Sequence, residues 1–398
     1  MLENQTIWQL APYQAAKARL NLAYRYQSQY EQLDHEFAHF RESQSWLAAQ
    51  DDAEAAQLLI AYIKALSPYL RQRGLNAELL RWCNSGLEAC KKLHQNPSWL
   101  LLLRSEAQNA LGQWSEAMNS IQEAIKTSQA NDPQTYAQAV LALGRLQLNR
   151  GDYKKALKTL ACAEKLLAEQ SDYEGLSAVR SEIAAYHLNR RELDKALSYY
   201  LEVARLRQQA GATEPSDHTL LMLGVVYRKR REYNQAFLYL QQLLDRGNER
   251  GIRSTIATAA HHLAWVHLNR GELEQASRLC GQAKDLYEQI GDMRGIADAY
   301  EQLGLIALAQ SRADDAILHL ERSLAVRRQI GNREGEASSL RRLAIAYLRA
   351  GHPAIAARNL WQSLTLYYNL GVLSRQRLIA ILSELLHWAI GGRRWPTL

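Results

Sequence analysis

Residues 271–276 read GELEQA, and this short turn recurs along the whole chain. The other copies are GLNAEL (74–79), GQWSEA (112–117), GDYKKA (151–156), RELDKA (191–196), REYNQA (231–236), SRADDA (311–316) and GHPAIA (351–356). The last residues of successive copies are 38, 39 and then five times 40 residues apart. A period this regular is the signature of a protein built from repeats.

Other positions keep the same register around these turns. The residue 12 positions before the last residue of each turn copy is small: Ser67, Ser105, Gly144, Ala184, Gly224, Ala264, Gly304 and Ala344. The residue 4 positions after the last residue of each turn copy is apolar, beginning with Cys83 in the first copy and ending with Leu360 in the last. Two helices joined by a tight turn approach closely only where the facing side chains are small. The pattern therefore predicts helix-turn-helix units, with a C-capping glycine at 211, 251, 291, 331 and 371.

Composition supports an all-α globular protein and excludes several classes. The chain has 398 residues, of which 47% are hydrophobic and 22% charged, and only 7 are proline. No apolar run reaches the roughly 18–20 residues that span a bilayer. The first residues, MLENQTIWQL, lack the basic and apolar regions of a signal peptide. We expect a cytoplasmic protein without membrane contact, whose four cysteines remain reduced.

The register resembles that of the tetratricopeptide repeat, in a long variant of 40 residues. The resemblance implies an α-solenoid, a right-handed superhelix of about eight helix-turn-helix repeats. It places an N-terminal helical segment at 1–59, the repeat array at 60–372, and a C-terminal capping helix with a basic tail at 373–398. The first repeat is atypical, because Leu79 replaces the usual Ala and Pro68 is expected to interrupt the first helix.

The segment before the array is similar to the start of the sensor region in bacterial signal-transduction ATPases of the STAND type. Leu33, Glu36, Trp46-Leu47 and Asp51-Asp52 match that outline, and Phe40 departs from it. No glycine of the chain is followed by lysine, so a GxxxxGK[ST] phosphate loop is absent from the sequence. An ATPase core of this kind would belong to another chain.

Motifs for chemistry are otherwise missing from the sequence. It contains no GxSxG, HExxH or GxGxxG motif. The nearest approach to a cluster is HHLAWVH, with His261, His262 and His267, and it has no carboxylate or cysteine at ligand spacing. We therefore expect no catalysis, no metal and no cofactor, and a packing role for His267.

In tetratricopeptide arrays the first helix of each pair lines a concave groove. Carried over to this chain, the basic members of that lining are Lys64, Arg71, Arg145, Arg228, Lys229, Arg341, Arg342 and Arg349. The acidic members are Glu106, Glu182, Asp298 and Glu301. Amides repeat at Asn149, Asn189 and Asn269, and aromatic surface comes from His218, His261, His262 and Trp265. The cationic surplus predicts a groove for an acidic peptide, whose backbone the amides can bind. For any single residue, a solvated helix face is an equally good interpretation.

Three classes of function follow from these residues. The favoured one is a scaffold or sensor array that binds a protein or peptide of acidic character, with an ATPase or effector module on another chain as a possible partner. A nucleic-acid-binding solenoid is the alternative, drawing on Arg73, Arg150, Arg190, Arg230 and Arg270 at the ends of first helices. We interpret these arginines instead as cations that offset helix dipoles. An enzyme is the least favoured class.

Overall fold

A computed structural model describes residues 12–27 and 30–371, together with 373, 378, 379, 381 and 383. Over these residues it contains α-helices and no β-strand. The chain divides into two compact units, Met1–Tyr186 and His187–Leu398, and the division falls within a helix. Among the helices that are described, none is long and apolar enough to cross a membrane.

Nine helices lie wholly or largely in the first unit. They are α1 (Pro12–Arg25), α2 (Tyr30–Ala48), α3 (Ala53–Gln72), α4 (Asn76–Lys92), α5 (Ser98–Ala110), α6 (Trp114–Ser128), α7 (Pro133–Asn149), α8 (Tyr153–Glu169) and α9 (Tyr173–Asn189). From α3 onward they alternate as first and second helices of the predicted repeats, and each packs mainly against its neighbours in the sequence. That pattern of short-range contacts is what a solenoid requires.

The described part of the second unit continues the alternation with nine more helices. They are α10 (Leu193–Gln209), α11 (Asp217–Lys229), α12 (Tyr233–Arg250), α13 (Arg253–Arg270), α14 (Leu273–Ile290), α15 (Met293–Ala309), α16 (Ala313–Gln329), α17 (Arg333–Arg349) and α18 (Pro353–Asn369). The odd-numbered helices from α11 to α17 are first helices, and the even-numbered ones are second helices. The predicted all-α solenoid of helix-turn-helix repeats is thus confirmed.

Every predicted turn is marked by one residue in the left-handed region. The residues are Gly74, Gly112, Gly151, Arg191, Arg231, Gly271, Ser311 and Gly351. At Gly271, φ is 84°, and the next amide, that of Glu272, donates to the carbonyl oxygen of His267 at 2.9 Å. This bond closes the preceding helix as a Schellman cap does. Arg231 adopts φ 65° in the same position, although a side chain makes that conformation costly.

The small residues of the first helices lie where the paired helices nearly touch. A Cβ built on Gly224 would stand 2.5 Å from Leu240, and one on Gly304 would stand 2.6 Å from Leu320. Both leucines are fully buried. The last residue of each turn sequence is buried as well, from Leu79 to Ala356. The spacing of 12 and 4 residues therefore corresponds to one repeated contact between the helices of a pair.

The first predicted repeat is more regular than the sequence suggested. Pro68 lies inside α3, which continues unbroken to Gln72, so the expected interruption was wrong. A proline removes only one intrahelical hydrogen bond. The buried side chains of α3 pack against the neighbouring helices and stabilise α3 in spite of this loss. The acidic turn before it has a local role, because the Asp52 side chain accepts a hydrogen bond from the Ala55 amide at 2.9 Å. Leu33, Phe40 and Leu47 form the buried face of α2.

The predicted C-terminal helix at 374–390 and the tail with Arg393 and Arg394 lie mostly outside the described residues. Within it, positions 378, 379, 381 and 383 are helical. Ile381 packs with Ala337 and Tyr367, the latter on the last second helix. The predicted domain limits at 59 and 372 stay a prediction, and we retain them as a proposal.

Candidate functional site

The first helices of the second unit lie side by side in the order α11, α13, α15, α17. The guanidinium of Arg228 on α11 stands 5.4 Å from the ring centre of Trp265 on α13. The side-chain amide of Gln302 on α15 donates to the backbone oxygen of His261 on α13 at 3.3 Å. Glu301 on α15 forms an ion pair with Arg342 on α17. Repeats 40 residues apart thus bring their first helices into contact.

These four helices carry most of the predicted site. His218, Arg228 and Lys229 belong to α11, and His261, His262, Trp265 and Asn269 to α13. Arg341, Arg342 and Arg349 belong to α17. Arg145 and Asn149 lie on α7 in the first unit, and Asn189 ends α9 at the division. We therefore build the candidate site from the second unit alone.

In the first unit the predicted basic and acidic lining residues pair with each other. Arg71 on α3 donates to Glu106 on α5 at 3.0 Å. Arg145 on α7 donates to Glu182 on α9 at 2.6 Å. Each pair joins the first helices of neighbouring repeats, so the two charges cancel within the protein. Arg145 is consequently less available to an outside ligand than its sequence position suggests.

Glu301 is a buried counter-ion rather than an exposed lining residue. Its side chain forms ion pairs with both Arg342 and Arg327, and the residue is only 5% exposed. Arg327 also donates to Asp298 at 2.8 Å. Burial lowers the pKa of Arg342 to about 10, and the nearby Asp298 opposes the shift. Arg327 lies on the second helix α16. The sequence pattern predicted lining residues only on first helices, so it did not predict that Arg327 pairs with Glu301 and Asp298.

Arg228 and Lys229 have no counter-ion in the part of the chain that the structure describes. Among the described residues, no carboxylate lies within ion-pair distance of either side chain. The Nε atom of Arg228 is shielded from solvent and has no hydrogen-bond partner there. Partial desolvation lowers the pKa of the half-buried Arg228 to about 10. Lys229 is exposed, and partial desolvation together with the charge of Arg228 lowers its pKa. The predicted cationic surplus is therefore concentrated at the end of α11.

His261 and Trp265 are one turn apart on α13 and are joined by a hydrogen bond. The indole nitrogen of Trp265 donates to Nε2 of His261 at 3.3 Å. An indole nitrogen can only donate, so Nε2 is the acceptor and a neutral His261 carries its proton on Nδ1. That Nδ1 atom is buried and has no partner in the described part of the chain. Burial, reinforced by Arg228, lowers the pKa of His261 to about 4, while Asp298 opposes it.

His262 is the third member of this group. Its ring lies 5.2 Å from that of His261, edge to face, and its Nδ1 also lacks a partner within the described residues. Burial lowers its pKa well below the ordinary value, with further contributions from His261, Arg228 and Lys229. His267 is set apart, because its Nδ1 pairs with Glu272 across the turn. No three potential metal ligands come together in the residues that the structure describes.

The repeated asparagines have a local use at the ends of first helices. The side-chain amide of Asn269 donates to the backbone oxygen of Trp265 at 2.6 Å, one turn earlier. Asn149 and Asn189 are the last residues of α7 and α9, and both are exposed. Asn269 therefore satisfies a carbonyl at its own helix end, which is an alternative to ligand binding.

The arginines just after the first helices are also used within the protein. Arg190 donates to Glu192 at 2.8 Å, Arg230 donates to Glu232 at 2.6 Å, and Arg270 donates to the side chain of Asn234 at 2.7 Å. Arg190 and Arg230 thus have carboxylate partners in the turns that follow them, whereas Arg270 bonds to a neutral amide on α12. This pairing favours a structural role over a stripe for phosphates.

Two clefts with charged linings lie in the first unit. One of about 290 Å³ is bounded by Arg71, Glu106 and Arg145. Arg71 pairs with Glu106, and Arg145 pairs with Glu182. A larger one of about 860 Å³ lies between α4, α5 and α6, with Leu87 and Leu101 in its lining. Its charged lining is paired too, since Arg104 lies 3.3 Å from Glu123. Neither cleft presents an unbalanced charge comparable to that of Arg228.

Comparison with known proteins identifies the repeats. Family models described as tetratricopeptide repeat match residues 219–253, 255–329 and 295–369. A model described as anaphase-promoting complex subunit 5 matches residues 22–135 and 127–191. No curated protein sequence matches the chain.

Solved structures with the same fold share little sequence with this chain. A signal-transduction ATPase with numerous domains from Pyrococcus horikoshii, which has a tetratricopeptide repeat sensor, is 16% identical, with a TM-score of 0.61 over 87% of this chain and 54% of its own. A chain of the Cut9–Hcn1 hetero-tetramer of the anaphase-promoting complex is 17% identical, with a TM-score of 0.58 over 87% of this chain and 59% of its own. A tetratricopeptide repeat protein from Parabacteroides merdae is 16% identical, with a TM-score of 0.50 over 74% of this chain and 99% of its own. The chain thus spans little more than half of the first two proteins, and these likenesses show the fold alone.

Proposed function

The chain is a tetratricopeptide-repeat protein, and we propose that it is a non-enzymatic scaffold or sensor array that binds a segment of a partner protein on α11, α13, α15 and α17. Proteins of this repeat fold are generally scaffolds for protein–protein interaction. Within the fold, the first helices of the second unit carry most of the site residues that the sequence predicted. The proposal places no chemistry at this surface and needs no cofactor.

One observation carries the choice of this surface. Three of the eight predicted cations of the first helices, Arg71, Arg145 and Arg342, are paired with predicted acids. At the end of α11 the balance fails, and Arg228 lies beside the large ring of Trp265. Tryptophan and arginine are the residues most often found at energetically dominant contacts of protein interfaces. An acidic segment with an apolar side chain would complement this combination of charge and ring.

The biological setting is a further part of the proposal. We propose a role in bacterial signalling, for which the shared fold with the repeat sensor of a signal-transduction ATPase is a precedent. These 398 residues hold no GxxxxGK[ST] phosphate loop, so in this proposal an ATPase or effector module lies outside them. In this role the protein works in the cytoplasm. The nucleic-acid alternative is less favoured, because Arg73, Arg190 and Arg230 at the helix ends are paired with carboxylates of the protein.

A selection from an unbiased peptide-display library would test the proposal, followed by affinity measurement on variants. We expect Trp265→Ala to lower the affinity for the selected peptides at least tenfold, because an aromatic side chain buried in an interface contributes several kcal/mol of binding free energy. Trp361→Ala is the matched control, since Trp361 lies on the second helix α18 and is 74% exposed. Equal effects of the two substitutions would contradict the proposal.

Two other results would point elsewhere. Loss of binding on Arg104→Ala, with Trp265→Ala harmless, would move the site to the cleft between α4 and α6. Retention on heparin or single-stranded RNA that falls steeply with salt, together with failure of the peptide selection, would favour the nucleic-acid alternative.

A further inference from the structure

The last second helix, α18, carries almost no charge. Arg358 is the one charged residue among the 17 residues of Pro353–Asn369. The other second helices of the second unit, α10, α12, α14 and α16, carry four to six charged residues each. A helix that faces water on one side normally places charged residues there, whereas the centre of a protein–protein interface is depleted of them. The composition of α18 is therefore typical of a helix whose outer face is covered.

Two large aromatic side chains occupy the outer face of α18. Trp361 and Tyr368 are each 74% exposed, and their spacing of seven residues places them on the same face of the helix. The equivalent residues one and two repeats earlier are charged or glycine: Glu321, Arg328, Gly281 and Glu288. Tryptophan and tyrosine are enriched at the energetically dominant contacts of protein interfaces. The last repeat thus has aromatic residues at two solvent-facing positions where its neighbours have none.

At internal repeats this face of a second helix adjoins the first helix of the following repeat. In the repeat before α18, the hydroxyl of Tyr347 on α17 donates to Glu321 at 2.7 Å. Arg328 donates to Glu336, also on α17, at 2.8 Å. The two aromatic residues of α18 stand at the same positions as Glu321 and Arg328, and no helix of the described residues covers them. This face therefore holds the place in the repeat that normally contacts another helix.

We propose that two copies of this chain associate through the outer face of α18, with the two α18 helices packed antiparallel about a twofold axis. The inference goes beyond the proposed function and does not depend on it. An axis between Leu364 and Thr365 places Trp361 of one copy against Tyr368 of the other, and symmetry forms the same contact a second time. Stacking of such aromatic pairs adds to the free energy of burying their surface. The small side chain of Thr365, beside the axis, lets the two helices approach closely.

Charge favours a second copy over an acidic partner at this face. The chain has a formal net charge of +7, so two copies repel each other at long range and meet best where each carries least charge. In the antiparallel pair the two Arg358 residues lie about 20 Å apart along the helix axes, since each residue rises about 1.5 Å. That separation exceeds the screening length of about 8 Å at physiological salt. An acidic segment, by contrast, would find a single cation on α18.

The size of the face predicts a reversible dimer. The four aromatic side chains of a pair supply roughly 600 Å² of surface, given what such rings bury in interfaces. Exposed neighbours such as Ala357, Gln362 and Leu370 bring the buried area to roughly 1,000 Å², near the lower limit of specific interfaces. Interfaces of this size are typical of transient complexes, so we expect a dissociation constant in the micromolar range.

Sedimentation equilibrium of the full chain tests the inference. We expect the apparent mass to rise from one chain to two across the micromolar range. The double variant Trp361→Glu with Tyr368→Glu should weaken the dimer at least tenfold, because it places four carboxylates in the contact. Leu238→Glu is the matched control and should change nothing, since Leu238 lies on the second helix α12 and is 60% exposed. A wild type that stays monomeric, or a double variant as dimeric as the wild type, would overturn the inference.

Opposite charges test the contact of Trp361 with Tyr368. Trp361→Lys with Tyr368→Lys should also weaken the dimer by itself. Mixed with the glutamate variant, it should form a mixed dimer, because each lysine then meets a glutamate of the other copy. If the mixture associates no better than the two variants alone, the antiparallel arrangement is wrong.

Cross-linking tests the position of the axis. Because Cys162 is an exposed free thiol, the variants are made in a Cys162→Ser background. Thr365→Cys should be joined to its copy by a short bismaleimide, since packed helices lie about 8–10 Å apart. Ala354→Cys, about three turns away, should not be joined. Equal cross-linking of the two variants in the dimer would overturn the inference.

The residues that follow α18 are the alternative cover for this face. If they cover it, the wild type is monomeric, and Trp361→Glu with Tyr368→Glu lowers the urea midpoint because both substitutions are then buried within one chain. That combination of results would overturn the inference. With an open face, the midpoint of the glutamate variant should equal that of the wild type when both are measured well below the dissociation constant.

Discussion

Gly304→Ala tests the close contact between paired helices on which the repeat rests. Gly304 lies in α15, and a Cβ on it would stand 2.6 Å from Cγ of Leu320 and 3.3 Å from the backbone oxygen of Ala316. Leu320 is fully buried in the core of the second unit, so it has little room to move away. Gly281, in the middle of α14, is the matched control, because a Cβ there would meet no atom within 4 Å.

The expected difference between the two variants can be worked from these contacts. Replacing a glycine by alanine inside a helix favours folding by about 1 kcal/mol, and this gain applies at both positions. At position 304 the added methyl group overpacks the core, which costs about 1–3 kcal/mol. Gly281→Ala should therefore stabilise the protein, whereas Gly304→Ala should be less stable than it by about 1–3 kcal/mol.

Urea unfolding followed by circular dichroism measures both effects. Combining Gly304→Ala with Leu320→Ala should remove the clash, so adding the glycine substitution in that background should no longer destabilise. The double-mutant cycle then gives the coupling between the two positions directly. If both alanines stabilise the protein equally, the close approach inferred at Gly304 is wrong.

Two further predictions concern the site and the repeat register. The pKa of His261 is about 4 in the folded protein but near 6.5 in the unfolded chain, so the unfolded state binds more protons between these values. The free energy of unfolding should therefore fall by about 2 kcal/mol from pH 7 to pH 5 through this residue. His261→Gln should reduce that pH dependence in urea titrations, and an unchanged slope would show that the histidine is not held neutral. Ala276→Leu, at a fully buried position, should overpack α13 against α14 and cost about 1–3 kcal/mol. Arg230→Ala should cost less than about 1 kcal/mol, since its ion pairs with exposed carboxylates are screened by water; equal losses for these two variants in denaturant unfolding would mean that the interface has been misplaced.

The sequence by itself determined the fold of this protein. Each turn of the 40-residue period needs one residue in the left-handed region. The helices that it joins need a small residue 12 positions before the last residue of the turn sequence and an apolar residue 4 positions after it. Each of these requirements is local in the sequence. For this reason the turns at Gly74 and Gly271, and the contact of Gly224 with Leu240, were predictable from spacing alone. Pro68 was the exception, because the packing of α3 outweighs the local preference of proline.

Only the tertiary structure decided which predicted site residues have their charge balanced. Arg145, Arg228 and Arg342 are equivalent in the sequence, as basic residues on first helices. In the structure Arg145 meets Glu182 and Arg342 meets Glu301, whereas no acid reaches Arg228 among the described residues. These pairings join residues 37 and 41 positions apart, and they depend on the offset between neighbouring helices to within about an ångström. Electrostatic energy depends on such distances and on burial, neither of which a repeat period specifies.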